Sequence, residues 1–180
     1  MNTFKKIASV FAAAAMALTF AACSGNSASD NSGDSASTGS AASYRTADEI
    51  KESGKITIGV FSDKNPFGYV DNEGKFQGYD VYFAERIAKD LGVELELVPV
   101  EAASRVEFLE TAKVDIILAN FTVTDERKEK VDFALPYMKV ALGVVSPDSA
   151  VIKSADELSG KTLIVVKGTT AESFFTENYP

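Results

Sequence analysis

The sequence predicts an α/β protein with a mainly parallel sheet, and three observations carry that expectation. Strand-length apolar runs recur at residues 55–60 (KITIGV), 93–100 (VELELVPV) and 114–121 (VDIILANF). Segments with apolar residues at helical spacing separate them, at 78–92 and 104–113. Glycine, proline and acidic turn residues punctuate the boundaries. A strand, a crossover helix and the next strand of the same sheet run parallel, with a right-handed connection.

Each element follows from its residues. In residues 55–60, Ile56, Ile58 and Val60 alternate and define one buried face. DNEG (71–74) reads as a turn. In residues 78–92, Val81, Ala84, Ile87, Ala88 and Leu91 share one helical face, with Asp80 expected as the N-cap and Gly92 as the stop. Residues 140–147 (VALGVVSP) and 162–167 (TLIVVK) are expected to be two further strands. Between them 154–160 (SADELSG) predicts a short helix, with Ser154 and Glu157 at capping-box spacing. Residues 168–179 begin one more helix.

The chain ahead of this body has a different character. Lys5 and Lys6 precede an apolar stretch over residues 7–20, too short for a stable membrane span, which ends in LTFAAC (18–23). That ending resembles a bacterial lipobox, in which cleavage falls just before a lipid-modified cysteine. Residues 1–22 are thus expected to be a signal peptide. Cys23 is expected to carry lipid and to hold the mature protein on the extracytoplasmic face of the cell membrane. Residues 24–43 (SGNSASDNSGDSASTGSAAS) offer nothing apolar beyond alanine and predict a flexible tether with a reach of roughly 25 Å.

Composition excludes several chemistries. The 180 residues contain no histidine, and Cys23 is the single cysteine, so the folded body has no disulfide, no thiol nucleophile and none of the commonest metal ligands. Removing residues 1–22 takes away Lys5 and Lys6 and no acid, leaving 16 basic against 26 acidic residues. A chain this acidic repels phosphate backbones, and nucleic acid is not an expected partner. No catalytic residue, cofactor or metal site is expected.

In an open α/β sheet, ligands sit beyond the carboxyl ends of the strands where the strand order reverses. That rule points to residues 61–69, 101–105, 120–127 and 167–170. Taken singly, each group has a simpler reading. Thr122 and Thr124 can be helix caps, Arg105 a surface arginine, and Phe61, Phe67 and Tyr69 packing around Pro66. Arg127 falls in a first helical turn, where the macrodipole disfavours a cation, so an anion partner is expected; Asp125 or Glu126 can supply it locally. Thr169 stands three residues before Glu172, again at capping-box spacing, at a helix start able to bind a carboxylate.

Taken together, GVFSDKNPFGYVD (59–71), GYDVYFAERIAKDLG (78–92), VDIILANFTVTDERKEKVDFALPYM (114–138) and KGTTAESFFTENYP (167–180) resemble the polar amino-acid substrate-binding proteins of ABC transporters. That family has the type II periplasmic-binding fold, two lobes with mainly parallel sheets. EAASRVEFL (101–109) and PYMKVALGVV (136–145) are most similar to its cysteine-binding branch. The acidic amino-acid binders also carry an arginine at the position of Arg105 and form the alternative.

The resemblance implies that Arg127 pairs bidentately with the ligand carboxylate, helped by the backbone N–H and hydroxyl of Thr122 and the N–H of Thr170. It further implies that the Asn120 carbonyl accepts from the ligand ammonium, that Phe67 covers the aliphatic part and that Arg105 lies towards the side chain. It implies lobe one over residues 44–146 and only the start of lobe two over 147–180, the chain stopping before the aspartate that the family's second lobe supplies. The implied protein is a monomeric lipoprotein that captures an L-amino acid, cysteine first and otherwise glutamate or aspartate, for an ABC permease. A hydrolytic enzyme on this fold is disfavoured by the lack of histidine, of a free thiol and of paired carboxylates. A surface adhesin is the remaining alternative.

Overall fold

The computed structural model describes residues 43–179. Residues 47–91 carry most of the regular structure. Helix α1 (Ala47–Ser53) starts at Thr46, whose hydroxyl accepts from the Glu49 N–H while the Glu49 carboxylate accepts from the Thr46 N–H, a complete capping box. Strand β1 (Lys55–Val60) follows directly. A small antiparallel sheet of β2 (Asp63–Lys64), β3 (Gly68–Val70) and β4 (Phe76–Gln77) lies between β1 and the next helix, where the sequence pointed only to the turn at 71–74. Within it the Gly74 N–H donates to the Asp71 carbonyl, closing the expected turn. Helix α2 (Tyr79–Leu91) ends at left-handed Gly92 as expected.

Strand β5 (Glu94–Pro99), helix α3 (Arg105–Glu110) and strand β6 (Ile116–Leu118) complete the main sheet. Its order is β5–β1–β6, and both pairings to β1 are parallel. The chain therefore crosses to one side of β1 and then to the other, which puts the order reversal at β1. One face of the sheet buries Ile56, Ile58 and Val60 against Val81, Ala84 and Ala88 of α2. The other packs Val100 and Ala119 with Phe108 of α3 and Ile117. Apolar contact on both faces is what a parallel sheet flanked by crossover helices requires.

Several expectations are corrected. Asp80 is not the N-cap of α2; Gly78 is, and Asp80 lies inside the first turn, completely buried. Gly78 is needed there because its φ is +123° and a Cβ would fall 2.3 Å from the Phe67 carbonyl oxygen. The Tyr79 and Asp80 N–H groups donate to Pro66 and Phe67 carbonyls, so loop backbone caps the helix in place of a side chain. Residues 140–147 and 162–167 form no strands among the described residues. An apolar alternation becomes a strand only with a paired neighbour, and here Val145 and Ile164 stand almost fully exposed. The segment at 154–160 is a 3₁₀ turn (Ala155–Leu158) without a side-chain cap; Glu157 accepts from the Lys153 N–H, not from Ser154.

Candidate functional site

The residues just past the strands converge on one cavity of about 820 Å³. Phe67 enters from the small sheet, Arg105 from the start of α3, and Asn120 and Thr122 from the segment after β6. Arg127 belongs to the single-turn helix α4 (Asp125–Lys128), and Thr169 and Thr170 to the start of α5 (Thr170–Asn178). All seven residues expected at the site thus line the same space. Cys23 lies outside the described residues.

The two arginines define the site's electrostatics. Arg105 is 3% exposed, a buried cation where a surface side chain was the simple expectation. Its Nε donates to the Ala102 carbonyl at 2.9 Å, Nη1 to those of Ala119 and Asn120 at 3.0 and 3.1 Å, and Nη2 to that of Gly168 at 2.8 Å. Arg127 donates from Nη1 to the Thr122 carbonyl at 2.7 Å and from Nη2 to the Gly168 carbonyl at 3.0 Å. Neither forms an ion pair among the described residues, and Asp125 pairs with Lys128 instead. The local anion partner expected for Arg127 is therefore replaced by two backbone carbonyls. Thr122 contributes its carbonyl to Arg127.

Burial, reinforced by the charge on Arg127, pushes the Arg105 guanidinium down to about 10. Burial also lowers Arg127, partly offset by Glu126. Both remain cationic near neutral pH, and backbone carbonyls are their hydrogen-bond partners, with Glu126 the nearby anion that acts on Arg127. Phe121 lies between the predicted site residues in sequence, yet its role had no sequence signal. Each guanidinium carbon sits over its ring, at 4.5 Å for Arg105 and 4.7 Å for Arg127.

Gly168 carries the carbonyl that both arginines share. Its φ is +76° and a Cβ there would lie 2.5 Å from the Ala103 Cα, so only glycine brings the two segments this close. At the start of α5, the Thr169 hydroxyl accepts from the Glu172 N–H at 3.3 Å. The Glu172 carboxylate accepts from the Gly168 N–H at 2.6 Å, one residue earlier than a capping box prescribes.

Asn120, two residues past β6, has a φ of +44°, in the left-handed region. Its N–H donates to the Asp80 carboxylate at 3.1 Å, and the Tyr137 hydroxyl donates to the other oxygen at 2.7 Å. Burial raises the Asp80 carboxyl above its ordinary range while these two donors pull it back. Burial first, then the hydrogen bond to Asp80, raises the Tyr137 hydroxyl. A signal for Asp80 was present: residues 80, 84 and 88 share one face of α2, so the aspartate stands in the buried stripe. No group of His, Cys, Asp and Glu able to hold a metal occurs among the described residues.

Known proteins resemble this chain in sequence and fold. A crystal structure of a cysteine-binding protein from Campylobacter jejuni is 58% identical, covering 74% of this chain and 55% of that one, with a TM-score of 0.72. The L-cysteine solute receptor of Neisseria gonorrhoeae is also 58% identical, covering 76% of this chain and 56% of that one, with a TM-score of 0.73. The L-cystine-binding protein of Escherichia coli (strain K12) is 34% identical over 132 residues, 72% of this chain and 50% of the relative. The chain spans about half the length of the curated relatives it matches. A cyclohexadienyl dehydratase of Pseudomonas aeruginosa is 29% identical over 73% of this chain and 50% of its own length, so the relatives include an enzyme. Residues 56–172 match the bacterial extracellular solute-binding proteins, family 3, and the chain, with its parallel sheet and its cavity beyond the strand ends, belongs to that family.

Proposed function

We propose that this chain captures an L-amino acid, L-cysteine first, as the substrate-binding component of an ABC importer. The observation that carries the reading is the pair of guanidiniums at the cavity wall with carbonyls alone for partners. A ligand carboxylate supplies the missing anion. Arg127 uses two of its five N–H groups and keeps three for a bidentate pair. The Asn120 carbonyl receives the ammonium, Thr170 adds a helix-start N–H, Thr169 orders that start, and Phe67 covers the aliphatic part.

Arg105 separates the two ligand classes. Four of its five N–H groups are engaged by backbone carbonyls, leaving one, too few for a bidentate clamp on a side-chain carboxylate. This supports cysteine over glutamate and aspartate. Competition calorimetry in reducing buffer tests the assignment. Tighter binding of L-cysteine than of L-glutamate or L-aspartate is expected, and the reverse order would make Arg105 the side-chain clamp of an acidic amino-acid receptor.

The protein binds its ligand unchanged and passes it to a membrane permease as a monomer. Because a dehydratase is among the relatives, mass spectrometry of ligand recovered after long incubation is the check; a converted product would make the site catalytic. Residues 44–146 are assigned to lobe one and those from 147 onward to lobe two. Cys23 anchors the chain to the extracytoplasmic face through lipid. Labelled palmitate should enter the wild type and not Cys23→Ser; equal labelling of both defeats the anchor.

A further inference from the structure

We propose that Asp80 is a positioning residue: with Tyr137, it locks the Asn120 backbone in the conformation that turns the segment after β6 towards the cavity. The inference rests on the reading above, in which the Asn120 carbonyl meets the ligand ammonium. Asp80 is fully buried and forms no ion pair among the described residues. A carboxylate removed from water without a cation demands strong donors. It has the Asn120 N–H on one oxygen and the Tyr137 hydroxyl on the other.

The geometry explains why a buried acid stands here. The peptide linking Ala119 to Asn120 is gripped at both ends by opposite charges: its carbonyl accepts from Arg105 and its N–H donates to Asp80. The next peptide is held as well, since the Asn120 carbonyl also accepts from Arg105. Fixing the planes on both sides of one Cα fixes its φ and ψ. Asn120 needs that restraint, because a left-handed conformation is disfavoured for any residue with a Cβ, asparagine being among the more tolerant. Asp80 and Arg105 are thus opposite buried charges joined through the backbone they orient. Tyr137 ties the same carboxylate to the segment after α4, and its own carbonyl accepts from the Tyr79 hydroxyl on α2.

The test compares two probes on the protein as its host produces it: L-cysteine, and 3-mercaptopropionate, which keeps the carboxylate and thiol and lacks the ammonium. Calorimetry gives the ratio of the two affinities, and amide hydrogen exchange at Asn120 reports the restraint without any ligand. Asp80→Ala should lower the cysteine preference by about tenfold or more and speed exchange at Asn120. Asp80→Asn keeps an acceptor for the Asn120 N–H and an amide group for the Tyr137 oxygen, so it should restore the ratio to within about threefold. Tyr137→Phe should fall between them, and it decides the matter should Asp80→Ala fail to fold. An unchanged ratio and unchanged Asn120 exchange in Tyr137→Phe, or in a folded Asp80→Ala, overturns the positioning role. A wild type that binds both probes equally well instead overturns the ammonium contact itself, and that result is visible before any variant is made.

Discussion

Arg45 and Arg127 stand towards opposite ends of the same sheet and meet different company. Arg45 grips Asp115, just ahead of β6, through Nε at 2.8 Å and Nη2 at 2.5 Å, and the same carboxylate accepts from the Thr57 N–H of β1 at 2.7 Å. Its charge is neutralised inside the chain, and the contact fastens residue 45 to two strands. Arg127, beyond the carboxyl ends of the strands, finds only carbonyls. One end of the sheet uses an arginine to hold the fold, and at the other Arg105 and Arg127 form no ion pair among the described residues.

Three measurements can break or sharpen that contrast. The largest effect is expected at the open end. Arg127→Ala should cost about 2 to 5 kcal/mol of ligand affinity, one to four decades, with little change in unfolding free energy. Calorimetry with affinity within threefold of wild type would reduce Arg127 to a packing residue. At the closed end the signs exchange. Asp115→Ala should lower unfolding free energy by about 2 to 3 kcal/mol, because it strips partners from Arg45 and Thr57, while affinity stays within about threefold. Denaturant titration beside calorimetry separates the two, and a large loss of affinity would erase the division between the ends.

The smallest effect concerns Asp80, the fully buried acid that holds Asn120 at the open end. Burial raises the Asp80 carboxyl in the folded chain, so the native state holds this proton more tightly than the unfolded state. Stability from this group is therefore full below the ordinary carboxylate value and is lost as pH rises through the raised one. Asp80→Asn should gain on the wild type over that window and then keep a constant margin. Unfolding free energies of the two proteins between pH 3 and 8 give the difference curve, and a margin that shrinks with rising pH would reverse the assigned sign.

Local pattern reached the sheet and its main helix. Ile56, Ile58 and Val60 alternate in sequence and are all completely buried, and the apolar stripe of α2 covers them. The site was legible as a set of positions, because each candidate follows a run that reads as a strand, although the run ahead of Thr169 and Thr170 forms none among the described residues. Orientation was not, because it depends on partners distant in sequence. Arg105 reads as a surface side chain until the carbonyls of residues 119, 120 and 168 arrive around it. Asp80 was mistaken for a cap because acids favour helix starts, although its spacing to Ala84 and Ala88 placed it inside. The apolar runs at 140–147 and 162–167 failed as strands for the same reason: a ladder needs a second strand, and no alternation of residues supplies one.

Phe121 has a consequence for how this protein can be watched. The chain contains no tryptophan, and this ring lies against both guanidiniums, within 5 Å of each central carbon. Indole has a stronger cation-facing surface than benzene. Placing tryptophan at this one position would give the molecule a single indole, excitable apart from its six tyrosines, whose colour and brightness depend on the guanidinium charge above it. An arriving carboxylate would then be seen as light, from a reporter that needs no label and sits where the charge changes.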